Sequence, residues 1–167
     1  AHIAMARYAL EHLRFDEVIV MPTATPPHKQ AGEVAPEHRL RMAQLAFSGM
    51  QGAQVSDLEQ RRGGKSYTMD TITEIGPVLL LMGEDMFVTI ESWHRAEELI
   101  RSTELVVFPR PGYQSGVEIL AQRLREQYGA RILVTDMPLH PDSSTEVRAL
   151  IARGCRPDGV PESVMRY

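Results

Sequence analysis

At residues 78–87 the chain reads VLLLMGEDMF: five apolar residues in a row, a glycine, two carboxylates, then apolar side chains again. A strand that buries one face alternates apolar with polar; one apolar throughout is covered on both faces, as in a parallel sheet under helices. Further strand candidates are EVIVMP (17–22), AQVSDLE (53–59), ELVVFP (104–109) and RILVTDMP (131–138). Between them lie segments with helical spacing at 2–14, 37–48, 68–75, 94–101, 115–128 and 143–153. This alternation predicts βαβ units and an α/β fold, a doubly wound parallel sheet with helices on both faces. Two irregularities accompany it. The first residues are helical with no strand before them, and only Gly76 and Pro77 separate the 68–75 helix from VLLLMG. So tight a crossover suggests that residues are omitted there.

The bulk properties narrow the class. With 167 residues, 43% hydrophobic and 24% charged, the chain is expected to form one domain spanning 1–167. A domain of that size buries roughly 70% of its unfolded surface. A net charge of −4 and a pI near 5.9 offer no basic field for nucleic acid. The longest apolar run, VLLLM, is far short of the ~20 residues that span a bilayer, so no membrane partner is expected. No secretory signal is visible, and the one cysteine, Cys155, excludes an internal disulfide framework. A reducing, cytoplasmic setting is expected.

In an open parallel sheet, ligands bind beyond the carboxyl ends of the strands. EVIVM leads into PTATPPHKQ, VLLLM into GEDMF, LVVFP into RPGY, and RILVTDMPLHP into DSSTEVR. These exits carry small, cationic or acidic groups, while the opposite ends (RFDE, TELV, YGAR) are ordinary. The asymmetry points to one shared cleft. Each residue also has an ordinary reading: His28 and Lys29 in a solvated loop, Asp85 as a helix cap, Trp93 in the core, Arg110 in a surface turn. In HPDSSTEVRAL (140–150), Asp142 or Ser143 can cap a helix, and Ser143 with Glu146 forms a capping box. Arg148 then falls in or near the first turn, where a cation is disfavoured by roughly 0.3–1 kcal/mol. An anion on the free amides would remove that penalty, and a guanidinium fork would help to hold it. A phosphate chain fits. No G-x-x-x-x-G-K-[ST], G-x-G-x-x-G, zinc-spaced cluster or G-x-S-x-G elbow is present.

The ordered set PTATPPHK, EHRLRMAQLA, VSDLEQRRGGKSYTMDTI, GEDMFVTIESWHR, LVVFPRPGY, SSTEVR and GVPESVMRY resembles the bacterial nicotinate mononucleotide adenylyltransferases. These are nucleotidyltransferases with an H-x-G-H motif, and the resemblance spans residues 1–167. It implies a Rossmann-like fold and transfer of the adenylyl group of ATP to nicotinate mononucleotide, giving deamido-NAD and pyrophosphate. AHIAMA resembles the end of G-x-F-D-P-x-H-x-G-H, with His2 as the second histidine and Ala1 where the family has glycine. The first histidine, the glycine-rich turn and an opening strand would then stand before Ala1.

By the same resemblance His2, Lys29, Ser144, Thr145 and Arg148 contact ATP, with His2 and Arg148 catalytic. His28, Thr68, Asp85, Trp93 and Arg110 fall in the mononucleotide pocket, Trp93 stacking on the pyridine ring. Glu84 stands where the family has a small residue. Its carboxylate would either face solvent or weaken binding of an anionic substrate. The chemistry is attack by a phosphate oxygen on the α-phosphorus of ATP, which calls for positioning and fixed positive groups rather than a base. A phosphomonoester is already largely ionised at neutral pH. Mg²⁺ is expected to arrive with ATP, without a dedicated protein site. The expected partners are ATP and nicotinate mononucleotide, with a homo-oligomer also open. Alternatives are a sister enzyme using nicotinamide mononucleotide or phosphopantetheine, and a non-catalytic nucleotide-binding module.

Overall fold

A computed structural model describes residues 1–25, 34–139 and 144–167, with the side chains of 114, 115 and 144 left out. The elements begin with α1 (His2–Glu11), β1 (Val18–Val20), α2 (Pro36–Phe47), β2 (Ala53–Val55) and α3 (Leu58–Arg62). Next come α4 (Thr68–Ile75), β3 (Leu79–Gly83), α5 (Glu84–Phe87), a 3₁₀ turn (Ile90–Ser92) and α6 (Ala96–Ser102). The chain closes with β4 (Glu104–Phe108), α7 (Gln114–Tyr128), β5 (Ile132–Val134), α8 (Ser144–Ala152) and α9 (Glu162–Met165). They form two compact units, Ala1–Ser66 with Asp142–Tyr167, and Tyr67–Pro141. Every strand pairing among the described residues is parallel.

In the first unit β1 lies beside β2, Val18 opposite Ala53 and Val20 opposite Val55. Met5, Ala6 and Ala9 are buried along one face of α1, a spacing that fits 3.6 residues per turn. Pro36 opens α2, where its missing N–H costs nothing and its fixed φ suits a first helical position. The C-terminal residues pack on α2: Ser163 Oγ donates to the Leu45 carbonyl (3.2 Å), and His38 Nδ1 lies 2.6 Å from the Tyr167 hydroxyl.

In the second unit the order is β3-β4-β5. β4 is central, and its Leu105, Val106, Val107 and Phe108 are wholly buried. That is the physical reason for its unbroken apolar reading. Phe87, Ile90, Leu99 and Ile100 from the β3–β4 crossover, Val117, Ala121 and Leu124 of α7, and Met69 and Ile72 of α4 complete this core. The direct passage from α4 to β3 closes through Gly76, whose φ of 92° and ψ of −167° lie in a region that only glycine reaches readily. Its amide still donates to the Ile72 carbonyl at 3.0 Å. The omission expected from the sequence is therefore not required by the stereochemistry.

The α/β reading holds, and the differences lie at element ends. AQVSDLE yields a strand of only three residues, because the Ser56 hydroxyl takes the Leu58 amide (3.3 Å) and turns the chain into α3. RILVTDMP shortens to Ile132–Val134, with one further bond from the Thr135 amide to the Val107 carbonyl (2.9 Å). The segment at 94–101 starts its helix two residues late, since Arg95 sits at φ 55° in the left-handed region.

Candidate functional site

The exits of β3 and β4 stand side by side, Gly83 opposite Phe108. Beyond Phe108, Pro109 offers no amide, and the next N–H, of Arg110, is taken by Glu84 Oε2 at 2.7 Å. Glu84 is only 4% exposed, so it does not face solvent as one of the two sequence readings allowed. Arg110 in turn brings its Nε to 3.4 Å from Asp85 Oδ1. Both groups crowd Gly83, where an added Cβ would strike Asp85 Oδ1 and lie 2.9 Å from Arg110 Nε. Asp85 makes no side-chain cap to α5, which removes the bland reading of it as a helix cap. Asp85 and Arg110 are thus one ion pair at two neighbouring strand exits.

A second grouping gathers at the start of α4. Thr68 is its first residue and is half-buried. Two residues on, Asp70 accepts from Arg95 Nη1 at 3.2 Å, while Arg95 also grips Glu98 through two bonds of 2.8 and 2.7 Å. Pairing with Glu98 first, and with Asp70 after it, raises the Arg95 pKa above its ordinary value. The rings of Tyr67 and His94 are in contact, tilted by 32° with centroids 4.2 Å apart. Trp93 is half-buried against the core, and its indole N–H donates to Thr89 Oγ1 at 3.2 Å. The structure therefore brings the SYTMD and SWHR stretches together through Tyr67–His94 and Asp70–Arg95. Sequence reasoning singled out none of those four residues, although each is within two positions of Thr68 or Trp93.

In the first unit the loop after β1 is anchored at its base. Arg39 donates through Nη1 to the Thr23 carbonyl and through Nη2 to the Ala24 carbonyl (2.6 Å). The buried Ser66 hydroxyl accepts from the Ala24 amide (3.1 Å), and the Ser66 amide donates to the Thr25 carbonyl (3.0 Å). His28 and Lys29 lie outside the described residues, as do Asp142, Ser143 and hence the expected capping box. His2 is the exposed first residue of α1. Thr145 and Arg148 are exposed on α8, and Ser144 begins that helix, its side chain outside the description. Because α8 starts at Ser144, Arg148 is its fifth residue, just past the first turn. The dipole penalty there is smaller than the sequence suggested. Among the described residues, no three His, Cys, Asp or Glu side chains are gathered as a metal site.

Parallel strands joined by helical crossovers, with an ion pair and polar side chains at the strand exits, define an α/β protein of the Rossmann-like type. The family model described as cytidylyltransferase-like matches residues 1–150, and the chain belongs to that family. A probable nicotinate-nucleotide adenylyltransferase of Exiguobacterium sibiricum is 36% identical over 92% of this chain and 79% of its own length. One from Thermotoga maritima is 34% identical over 99% of this chain and 82% of its own length. Among solved structures, Plasmodium falciparum nicotinic acid mononucleotide adenylyltransferase complexed with NaAD superposes with a TM-score of 0.72. It covers 98% of this chain and 85% of that one at 15% identity, a likeness of fold.

Proposed function

We propose that the protein transfers the adenylyl group of ATP to nicotinate mononucleotide, releasing pyrophosphate and forming nicotinate adenine dinucleotide, a step of NAD biosynthesis. The observation that carries this is the identity of 36% and 34% over more than nine-tenths of the chain to relatives named for that reaction.

In this reading the chain acts as a single domain in the cytoplasm, and the work is positioning. Two anions must meet, so fixed cations and aligned donors do what a nucleophile or base does elsewhere. His2, Lys29, Ser144, Thr145 and Arg148 hold the ATP phosphates, which arrive with Mg²⁺ as part of the substrate. Thr68, Asp85, Trp93, Arg110 and His28 receive the mononucleotide. The Arg110 guanidinium supplies positive charge beside Gly83, while Asp85 orients it. Support for these assignments is the match of each residue to its motif, together with the Asp85–Arg110 pair and the Thr68 setting.

The test is pyrophosphate release with ATP and each of three acceptors: nicotinate mononucleotide, nicotinamide mononucleotide and phosphopantetheine. Release with nicotinate mononucleotide at a kcat/KM well above the other two is expected. A preference for either other acceptor points to a sister enzyme, and no release with any of them overturns the reading.

A further inference from the structure

Resting on the reading just proposed, we infer that Glu84 is a positioning residue for the mononucleotide, acting through the Arg110 backbone. Burying a carboxyl group is costly unless its oxygens are bonded, and Glu84 is nearly enclosed. Its hydrogen-bond partner is neither a cation nor a capping amide of its own helix. It is the main-chain N–H of Arg110, 26 residues along the chain and at a neighbouring strand exit. The β3–β4 ladder ends at Gly83 and Phe108, and Pro109 cannot extend it. Glu84 Oε2 stands where a next rung would come and carries the pairing one step further.

The consequence falls on the next two side chains. Fixing the Arg110 amide fixes where its Cα departs from the sheet, and so where the guanidinium meets Asp85 beside Gly83. Asp85 directly follows Glu84 on α5, so one residue ties both members of the ion pair. A small side chain at position 84 has no atom to reach that amide. The glutamate accordingly aids binding of an anionic substrate by aiming Arg110, and does not oppose it by repulsion.

Glu84→Met keeps the length and fills the buried space but offers no oxygen; Glu84→Gln keeps an acceptor. We expect Glu84→Met to raise KM for nicotinate mononucleotide about tenfold, with kcat and the KM for ATP moving less than about threefold. Glu84→Gln is expected to restore most of the loss. The Arg110 amide proton resonance, which needs no substrate, should move upfield in Glu84→Met and stay near its place in Glu84→Gln. An unchanged mononucleotide KM in Glu84→Met, equal losses for both substrates, or a glutamine variant as poor as the methionine one would each overturn the inference. A wild-type protein that transfers nothing to nicotinate mononucleotide defeats the functional reading and the substrate assigned to Glu84. The amide shift then separately decides whether Glu84 holds Arg110.

Discussion

At position 83 a methyl group has no room that is not already taken by Asp85 and Arg110. The obstructing atoms belong to side chains, so Gly83→Ala should fold and the ion pair should yield. The expected result is a melting temperature within a few degrees of wild type and a KM for the mononucleotide raised about tenfold or more, read by pyrophosphate release. A collapsed melting temperature would mean that the glycine serves the sheet and not the site. Arg148 tests the other substrate. It is exposed on α8, so Arg148→Ala should leave unfolding within about 0.5 kcal/mol of wild type. Turnover should fall about a hundredfold if the guanidinium meets phosphate in the transition state. Unchanged turnover removes it from the site.

Elements show what the letters could and could not tell. The middle of β4 was legible because both its faces are covered, which leaves no place for a polar residue between Leu105 and Phe108. The end of β2 was not, because it is decided by a single hydrogen bond, from the Leu58 amide to the Ser56 hydroxyl. α3 spans five residues, too few for periodicity to register. Asp85 and Arg110 could be singled out from their places after strands. Their pairing depends on β3 and β4 being neighbours in register, which no local pattern states. The clamp of Arg39 on the loop after β1 is likewise a fact of folding across 15 residues or more.

Two predictions belong to this scale. At Gly76 the space is open but the backbone is not, so Gly76→Ala should cost about 1–3 kcal/mol in denaturant unfolding. A neutral effect would show that the α4–β3 join relaxes. Across the second unit Arg123 of α7 forks onto Glu91 of the 3₁₀ turn at 2.9 and 2.5 Å. Hydrogen bonding to Arg123, the largest influence, holds the Glu91 carboxyl below its usual range despite some desolvation. A lowered folded-state value means that the pair stabilises above that range and loses its effect as pH falls through it. The stability gap between wild type and Arg123→Ala should therefore shrink on acidification and with added salt. A gap independent of both would assign Arg123 to packing.

For the molecule as a whole, residues matched to the ATP phosphates fall in the unit Ala1–Ser66 with Asp142–Tyr167, and most of those matched to the mononucleotide fall in Tyr67–Pro141. The chemistry proposed for them is transfer at one particular atom, the α-phosphorus. The most direct measurement uses ATP radiolabelled at that phosphorus, incubated with the protein and nicotinate mononucleotide. All transferred label should appear in a dinucleotide, with pyrophosphate formed in equal amount and unlabelled. Label left in ADP, released as phosphate, or absent from any acceptor product would contradict adenylyl transfer.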